Sequence, residues 1–225
     1  MELNGRGDNP LTDIGSGRMV SGGNFQPMQL ALAFEALRLG LAHLGISSER
    51  RIAKLYPPQR RIRQRHLEAA RNGAPLEPEE LPGLLWYSAA GLLSELKVLA
   101  APATLGAPTL SADVEDHSTL APLALQLLER SVDAAGRLLA IEALTAAYLL
   151  GGAESRAVRP LGKGTGAVVE RLSLLLARHL PAAALVEQAR AELDAFPCNG
   201  FNSALDAAPE TRTTGGPASG TERQR

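Results

Sequence analysis

The sequence has a single cysteine, Cys198, so no disulfide can form within the chain, and a reducing, cytoplasmic setting is expected. Aromatic residues are scarce at 4%, and β-branched residues are sparse beside Leu and Ala. A sheet core has little to be built from, so the expected fold class is all-α. Neither sign of charge dominates: 23 Lys and Arg face 24 Asp and Glu, for a net charge of -1. That balance gives no field to draw the chain toward nucleic acid or anionic lipid, and neither partner is expected. The N-terminus has no basic region followed by an apolar run, so it does not read as a signal peptide. The longest uncharged, apolar-rich stretch, Ala143 to Ala153, falls well short of the ~20 residues of a membrane span. The four histidines, His43, His66, His117 and His179, lack the paired spacing of a zinc site, and no metal is expected.

What the sequence does have is long helical periodicity. From Gln26 to Tyr56, Leu30, Phe34, Leu37, Leu41 and Leu44 recur at three- and four-residue steps, with Leu32 and Leu39 as a second stripe. Pro57 and Pro58 are expected to end this helix. A connector over residues 57–82 is expected to follow, opening on Arg60, Arg61, Arg63 and Arg65 and closing on Glu77, Glu79 and Glu80; charge runs of this kind are usually solvated. A second helix is expected over Leu84–Leu99 and a third over Leu120–Leu150, the latter with Gln126, Glu129, Arg130, Asp133 and Arg137 on one polar face. Helices this long and apolar belong to a bundle or an oligomer core. The expected organisation is a loop segment over 1–25, a long-helix bundle over 26–150, a peripheral hairpin over 151–203 and a disordered tail over 204–225 with almost nothing to bury. Gly162-Lys163-Gly164-Thr165-Gly166 lacks both the Walker spacing and a preceding strand, and reads as a loop entering a helix.

Two segments near the start, Asp8-Asn9-Pro10-Leu11 and Ser21-Gly22-Gly23-Asn24-Phe25-Gln26, resemble the paired segments of the histidine and phenylalanine ammonia-lyase family, at a similar spacing. The likeness continues through Ile46-Ser47-Ser48-Glu49-Arg50-Arg51-Ile52, through Ser94 to Ala103, and through Ser111-Ala112-Asp113-Val114-Glu115-Asp116-His117, with a weaker echo at Leu161 to Thr165. Each is weak alone; their order and spacing over residues 2–166 make the signal. The resemblance is closest to the histidine ammonia-lyases. It implies a helical-bundle homotetramer that removes ammonia from an aromatic amino acid, histidine being favoured, to leave an α,β-unsaturated acid. It also implies that this chain is the C-terminal part of such a fold, with a missing N-terminal half that carries the tyrosine-bearing lid and the electrophile.

The family's electrophile is a methylidene-imidazolone ring made from Ala-Ser-Gly. In this chain that tripeptide occurs only as Ala218-Ser219-Gly220, outside the family's motif context, and Ser88-Ala89-Ala90-Gly91 has alanine where serine is needed. No cofactor is therefore expected within the chain itself. Three residues are candidates for the site. The Glu115 carboxylate is the candidate catalytic and substrate-binding group, because it can accept a charge-assisted hydrogen bond from an imidazole N–H and has nothing to bind on a phenyl ring. Phe25, by resemblance, lines the substrate pocket, and Asn9 places its amide near the electrophile or the substrate. Read from the residues alone, Glu115 complements the start of the third helix, Phe25 is a core aromatic, and Asn9 is turn chemistry.

The chain departs from the family at Glu80-Leu81-Pro82-Gly83-Leu84-Leu85-Trp86-Tyr87, where a Gly-x-Asn-Ser-Gly-Phe-Met type segment is expected. Three functions follow from these readings. The first is a lyase half that acts on histidine once an N-terminal half is supplied; the second is half of an aminomutase, which shares scaffold and electrophile. The third is a catalytically inactive helical module for oligomerisation or interaction.

Overall fold

Leu and Ala at helical spacing dominate most of the chain, and five helices form from them. The computed structural model describes residues 7–22, 26–75, 81–109, 111–112, 117–151 and 161–196. After a short antiparallel hairpin, β1 (Leu11–Asp13) and β2 (Arg18–Val20), come α1 (Met28–Arg71), α2 (Leu85–Leu99), a 3-10 turn at Thr104–Gly106, α3 (Ala121–Gly151), α4 (Lys163–Leu176) and α5 (Ala182–Asp194). The chain from Met1 to Asp194 is one unit; of a second, Ala195–Arg225, only residues 195 and 196 are described. Cys198 and the expected tail lie outside the described residues.

The all-α bundle expected from composition is what forms, and α3 is its axis. It packs against α1 and α2 on one side and against α4 and α5 on the other. Its Leu138, Ile141 and Leu144 are fully buried together with Leu96 of α2, Leu172 of α4 and Leu185 of α5. Burying a leucine contributes roughly 2 kcal/mol, so this cluster is the main source of the fold's stability. A smaller cluster of Ala31, Ala103, Ala121 and Ala124, flanked by Phe34 and Leu127, closes the end of the bundle where α1 and α3 begin. Small side chains there bring the backbones of α1 and α3 close. Gly45 does the same in the main core, where an added Cβ would stand 2.7 Å from Leu96 Cδ1.

Polar joints fix the register of these helices. Glu142 of α3 accepts from Ser48 Oγ at 2.6 Å and from Arg51 Nη2 at 2.8 Å, with Arg51 Nε on its other oxygen. Trp86 of α2 donates its ring N–H to Glu49 at 3.0 Å and lies 4.9 Å from the Tyr56 ring. On the opposite flank, Arg190 of α5 bonds Asp133 of α3, which raises the guanidinium pKa further above its ordinary value. It passes over Gly136, where a Cβ would sit 3.0 Å from Arg190 Nε. Arg137 adds a 2.8 Å pair to Glu187. Two members of the expected polar face of α3 are thus taken up by α5.

Two expectations are corrected. Helix α1 does not stop at Pro57 but carries Pro57 and Pro58 inside it and runs to Arg71, so most of the expected connector is helical. Each proline deletes one donor to the preceding turn. Both lost bonds fall where Lys54, Pro57 and Arg60 are exposed, so water reaches the orphaned carbonyls, and the residues that follow are strong helix formers. Within the expected N-terminal loop, residues 11–20 pair as a hairpin, Leu11 opposite Val20 and Asp13 opposite Arg18. By length and composition alone α1 and α3 would also pass for membrane spans, as the core helices of a bundle do, and no uncharged run reaches span length. In α3, 44% of that apolar window is buried against the other helices; in α1 only 22% is.

Candidate functional site

The start of the chain, the entry to α1 and the entry to α3 contain the three candidate residues. Asn9 stands at the base of the hairpin. Its backbone N–H donates to Asp8 Oδ1 at 2.8 Å, and its side-chain oxygen accepts from Ser21 Oγ, also at 2.8 Å. Ser21 directly follows β2, so this bond ties the two ends of the hairpin together. Asn9 is exposed, and the Asn9–Pro10 peptide is cis. At the far end, the Asp13 carboxylate accepts from the Ser16 hydroxyl and from the Gly15 N–H, and these bonds hold its pKa below the usual 3.8.

Phe25 and Glu115 lie outside the described residues, as does Asn24. Their chain neighbours are described, and they meet. Gln26 spans from the entry of α1 to the entry of α3: its Nε2 donates to the His117 carbonyl at 3.5 Å, and its Oε1 accepts from the Thr119 N–H at 3.2 Å. The side-chain amide thus fills a donor and an acceptor position of the extended backbone leading into α3, as a neighbouring strand would. Local hydroxyls finish that entry. Ser118 Oγ accepts from the Leu120 N–H at 3.5 Å and Thr119 Oγ1 from the Ala121 N–H at 3.4 Å. Leu120 itself has φ 46°, a left-handed conformation that an L-residue holds only when its surroundings impose it.

Beneath this edge lies a buried ion pair. Arg38, fully buried in α1, donates to the carbonyls of Leu99 and Ala101 and lies 3.5 Å from Glu35. Glu35 in turn accepts from the N–H groups of Ala103 and Thr104, at 2.6 and 2.8 Å. The cation meets the carbonyl end of α2 and the anion meets the N–H end of the next turn, each where the backbone dipoles favour it. This clamp holds the segment Leu99–Thr104, part of the family-like stretch Ser94 to Ala103, against α1. On the other side of that segment an open groove of about 670 Å³ runs between α2 and α3, lined by Val98, Leu99, Pro102, Leu123 and Leu127, with Glu95 and Arg130 on its rim. Asn9 does not line it.

The sequence reading did not single out Glu35, Arg38 or Gln26. For the first two a signal existed: they are the only Asp, Glu, Lys or Arg between Pro27 and Ser48, opposite in sign and three residues apart. For Gln26 there was none, because its partners lie more than ninety residues away. Among the described residues, no group of three His, Cys, Asp or Glu could hold a metal.

Residues 1–173 match the family model described as aromatic amino acid lyase. The chain belongs to this family. It is 38% identical over 154 residues to a histidine ammonia-lyase of Bacillus mycoides, an alignment covering 65% of this chain and 28% of that protein. Among solved structures it resembles histidine ammonia-lyase from Trypanosoma cruzi, with a TM-score of 0.62, 27% identity, and coverage of 83% of this chain and 35% of that one. A Pantoea agglomerans phenylalanine aminomutase shares the fold, with a TM-score of 0.63 at 18% identity over 84% of this chain and 36% of that one. This member of the lyase family thus spans about a third or less of the length of the relatives it matches.

The ring electrophile of the family does not fit the described residues. In Ser88-Ala89-Ala90-Gly91 the backbone is helical and Ala89 is fully buried, and no serine follows the first alanine. Ala218-Ser219-Gly220 lies outside the described residues. No reaction step through the ring can therefore be drawn on the described residues.

Proposed function

We propose that this chain is the C-terminal part of a histidine-directed ammonia-lyase and supplies the substrate-recognition side of its active site, with the electrophile carried on a separate stretch of polypeptide. The bridge from Gln26 to His117 and Thr119 supports this reading most directly. In sequence, Phe25 directly precedes Gln26 and Glu115 comes two residues before His117.

In this reading the Glu115 carboxylate accepts a hydrogen bond from the imidazole N–H of histidine, and Phe25 covers a face of the ring. Asn9, with its oxygen held by Ser21, keeps its amide N–H groups for the electrophile or the substrate carboxylate. Loss of ammonia from histidine together with a proton from the adjacent carbon gives urocanate, and the electrophilic chemistry for that loss would be supplied by the other stretch of polypeptide. The assembly is a homo-oligomer, as the resemblance implies.

A variant Glu115→Gln tests the substrate assignment in a complemented enzyme. Removing a charged hydrogen bond costs about 1.5–3 kcal/mol, so kcat/KM for histidine falls by roughly 10- to 100-fold. Turnover of phenylalanine, which makes no such bond, stays level or rises. An equal loss on both substrates would contradict the assignment.

A second reading has its own support. The Asn9 side chain is already used in closing the hairpin, and α2 begins with Trp86 locked to Glu49 where the family carries an Asn-Ser-Gly segment. Both suit an inactive helical module. The aminomutase alternative uses the same residues and is separated from the lyase only by its product.

A further inference from the structure

Among the described residues other than glycine, Ser111, Ala112, Leu120 and His179 have positive φ. His179 follows α4, and its N–H still donates to the Leu176 carbonyl, so it finishes a helix in the way left-handed residues commonly do. Leu120 is at the opposite kind of position. Its carbonyl accepts the first bond of α3, from the Ala124 N–H at 2.9 Å, so it caps the N-terminus of that helix. A residue capping a helix start normally has extended backbone with negative φ. Leucine has no preference of its own for φ 46°, because its Cβ is crowded against the following carbonyl oxygen there.

The cause is that Leu120 joins two pieces of backbone, each fixed from elsewhere. On one side its carbonyl is bound into α3, which the buried core holds through Leu138, Ile141 and Leu144. On the other side Gln26, at the entry of α1, donates to the His117 carbonyl at 3.5 Å and accepts from the Thr119 N–H at 3.2 Å. Thr119 itself is buried. The φ of Leu120 takes up the difference between the two directions. The hydroxyl bonds from Ser118 and Thr119 reach only two residues along the same backbone, so they follow the turn and do not set its direction relative to α1. What opposes the strain is therefore a pair of long bonds from a half-buried amide, weak enough to open without unfolding the bundle.

We propose that Gln26 is a latch with two states. Closed, it holds the entry of α3 against the entry of α1 and keeps Leu120 left-handed. Open, its amide is returned to water, Leu120 relaxes to negative φ, and the backbone from His117 to Thr119 is freed from α1. The inference is independent of the catalytic reading, since it uses neither Glu115 nor Phe25.

Glycine and alanine at position 120 report the sign of φ. At negative φ alanine is the more stable, because glycine loses more freedom on folding; at positive φ glycine is, because it has no Cβ to crowd. Both variants lack the leucine side chain, so its lost packing cancels between them. In the full 225-residue chain, Leu120→Gly is expected to melt about 2–4 °C above Leu120→Ala. With Gln26→Ala added to each, the order is expected to reverse. Amide exchange at Thr119 in Gln26→Ala alone is expected to quicken at least tenfold over the parent chain, while exchange at Leu138 and Leu144 stays level and shows the fold intact. Glycine still ahead of alanine after Gln26→Ala would mean that something other than the latch imposes the strain, and overturns the proposal. Alanine ahead in both backgrounds, or unchanged exchange at Thr119, overturns it equally.

Discussion

Two links tie α1 to α3, and they are built differently. At the Glu142 joint, Ser48 is fully buried and the carboxylate takes bonds from both Ser48 and Arg51. At the Gln26 bridge, a half-buried amide makes two longer bonds, 3.2 and 3.5 Å, to the backbone of the buried Thr119 and the exposed His117. The first is complete within the chain. The second is an edge, half-buried and held by longer bonds. Family-like sequence is found at both, so resemblance alone does not separate scaffold from site; burial and bond completeness do. Ser47 to Ile52 belongs to the scaffold, and Gln26, His117 and Thr119 belong to the edge.

The sharpest way to stress this contrast is at the clamp beneath the edge. Arg38→Ala leaves the carbonyls of Leu99 and Ala101 without their donor and Glu35 without its counter-ion, and a broken buried pair costs about 3–5 kcal/mol. Denaturant unfolding followed by circular dichroism is expected to show that loss; a change under 1 kcal/mol would mean that the clamp is not structural. Next in size, Ser48→Ala is expected to cost about 1.5 kcal/mol by removing a charge-assisted bond, and Gln26→Ala about 0.5 kcal/mol because its bonds are long and half-exposed. If the two variants were equally destabilising, the division between scaffold and edge would fail.

Most of the fold was legible in the sequence because its helices are made by Leu and Ala at regular spacing; α2 and α3 fall within a residue of their expected bounds. The miss at Pro57 arose because two prolines were given the weight of a stop, whereas their lost bonds fall on a solvated side and the residues beyond favour helix strongly. The hairpin escaped because three-residue strands carry no periodic signal; it is held by Asp13 at its turn and by Asn9 and Ser21 at its base. Of the site, Asn9, Phe25 and Glu115 were named by family likeness, and of these only Asn9 is among the described residues. The clamp of Glu35 and Arg38 and the Gln26 bridge were not, since contacts over sixty or ninety residues leave no local pattern.

The smallest expected effect concerns pH. Asp13 has a lowered folded pKa, first through the Ser16 hydroxyl and then through the Gly15 N–H, so its contribution to the hairpin is present above pH 3.8 and is lost as pH falls through the folded value. The amide signals of Gly15 and Ser16 in a nuclear magnetic resonance titration are expected to move with a midpoint below 3.8, and Ser16→Ala is expected to bring that midpoint up. At the opposite flank, the bond from Asp133 raises the Arg190 pKa further above its already high value.

The most direct measurement is the appearance of urocanate, read by its ultraviolet absorbance, when L-histidine is given to this chain alone and to this chain mixed with a polypeptide that carries the family's Ala-Ser-Gly segment and upstream helices. The account predicts silence from the chain alone and turnover in the mixture. Turnover by the chain alone, or silence from the mixture with both partners folded and associated, would contradict it.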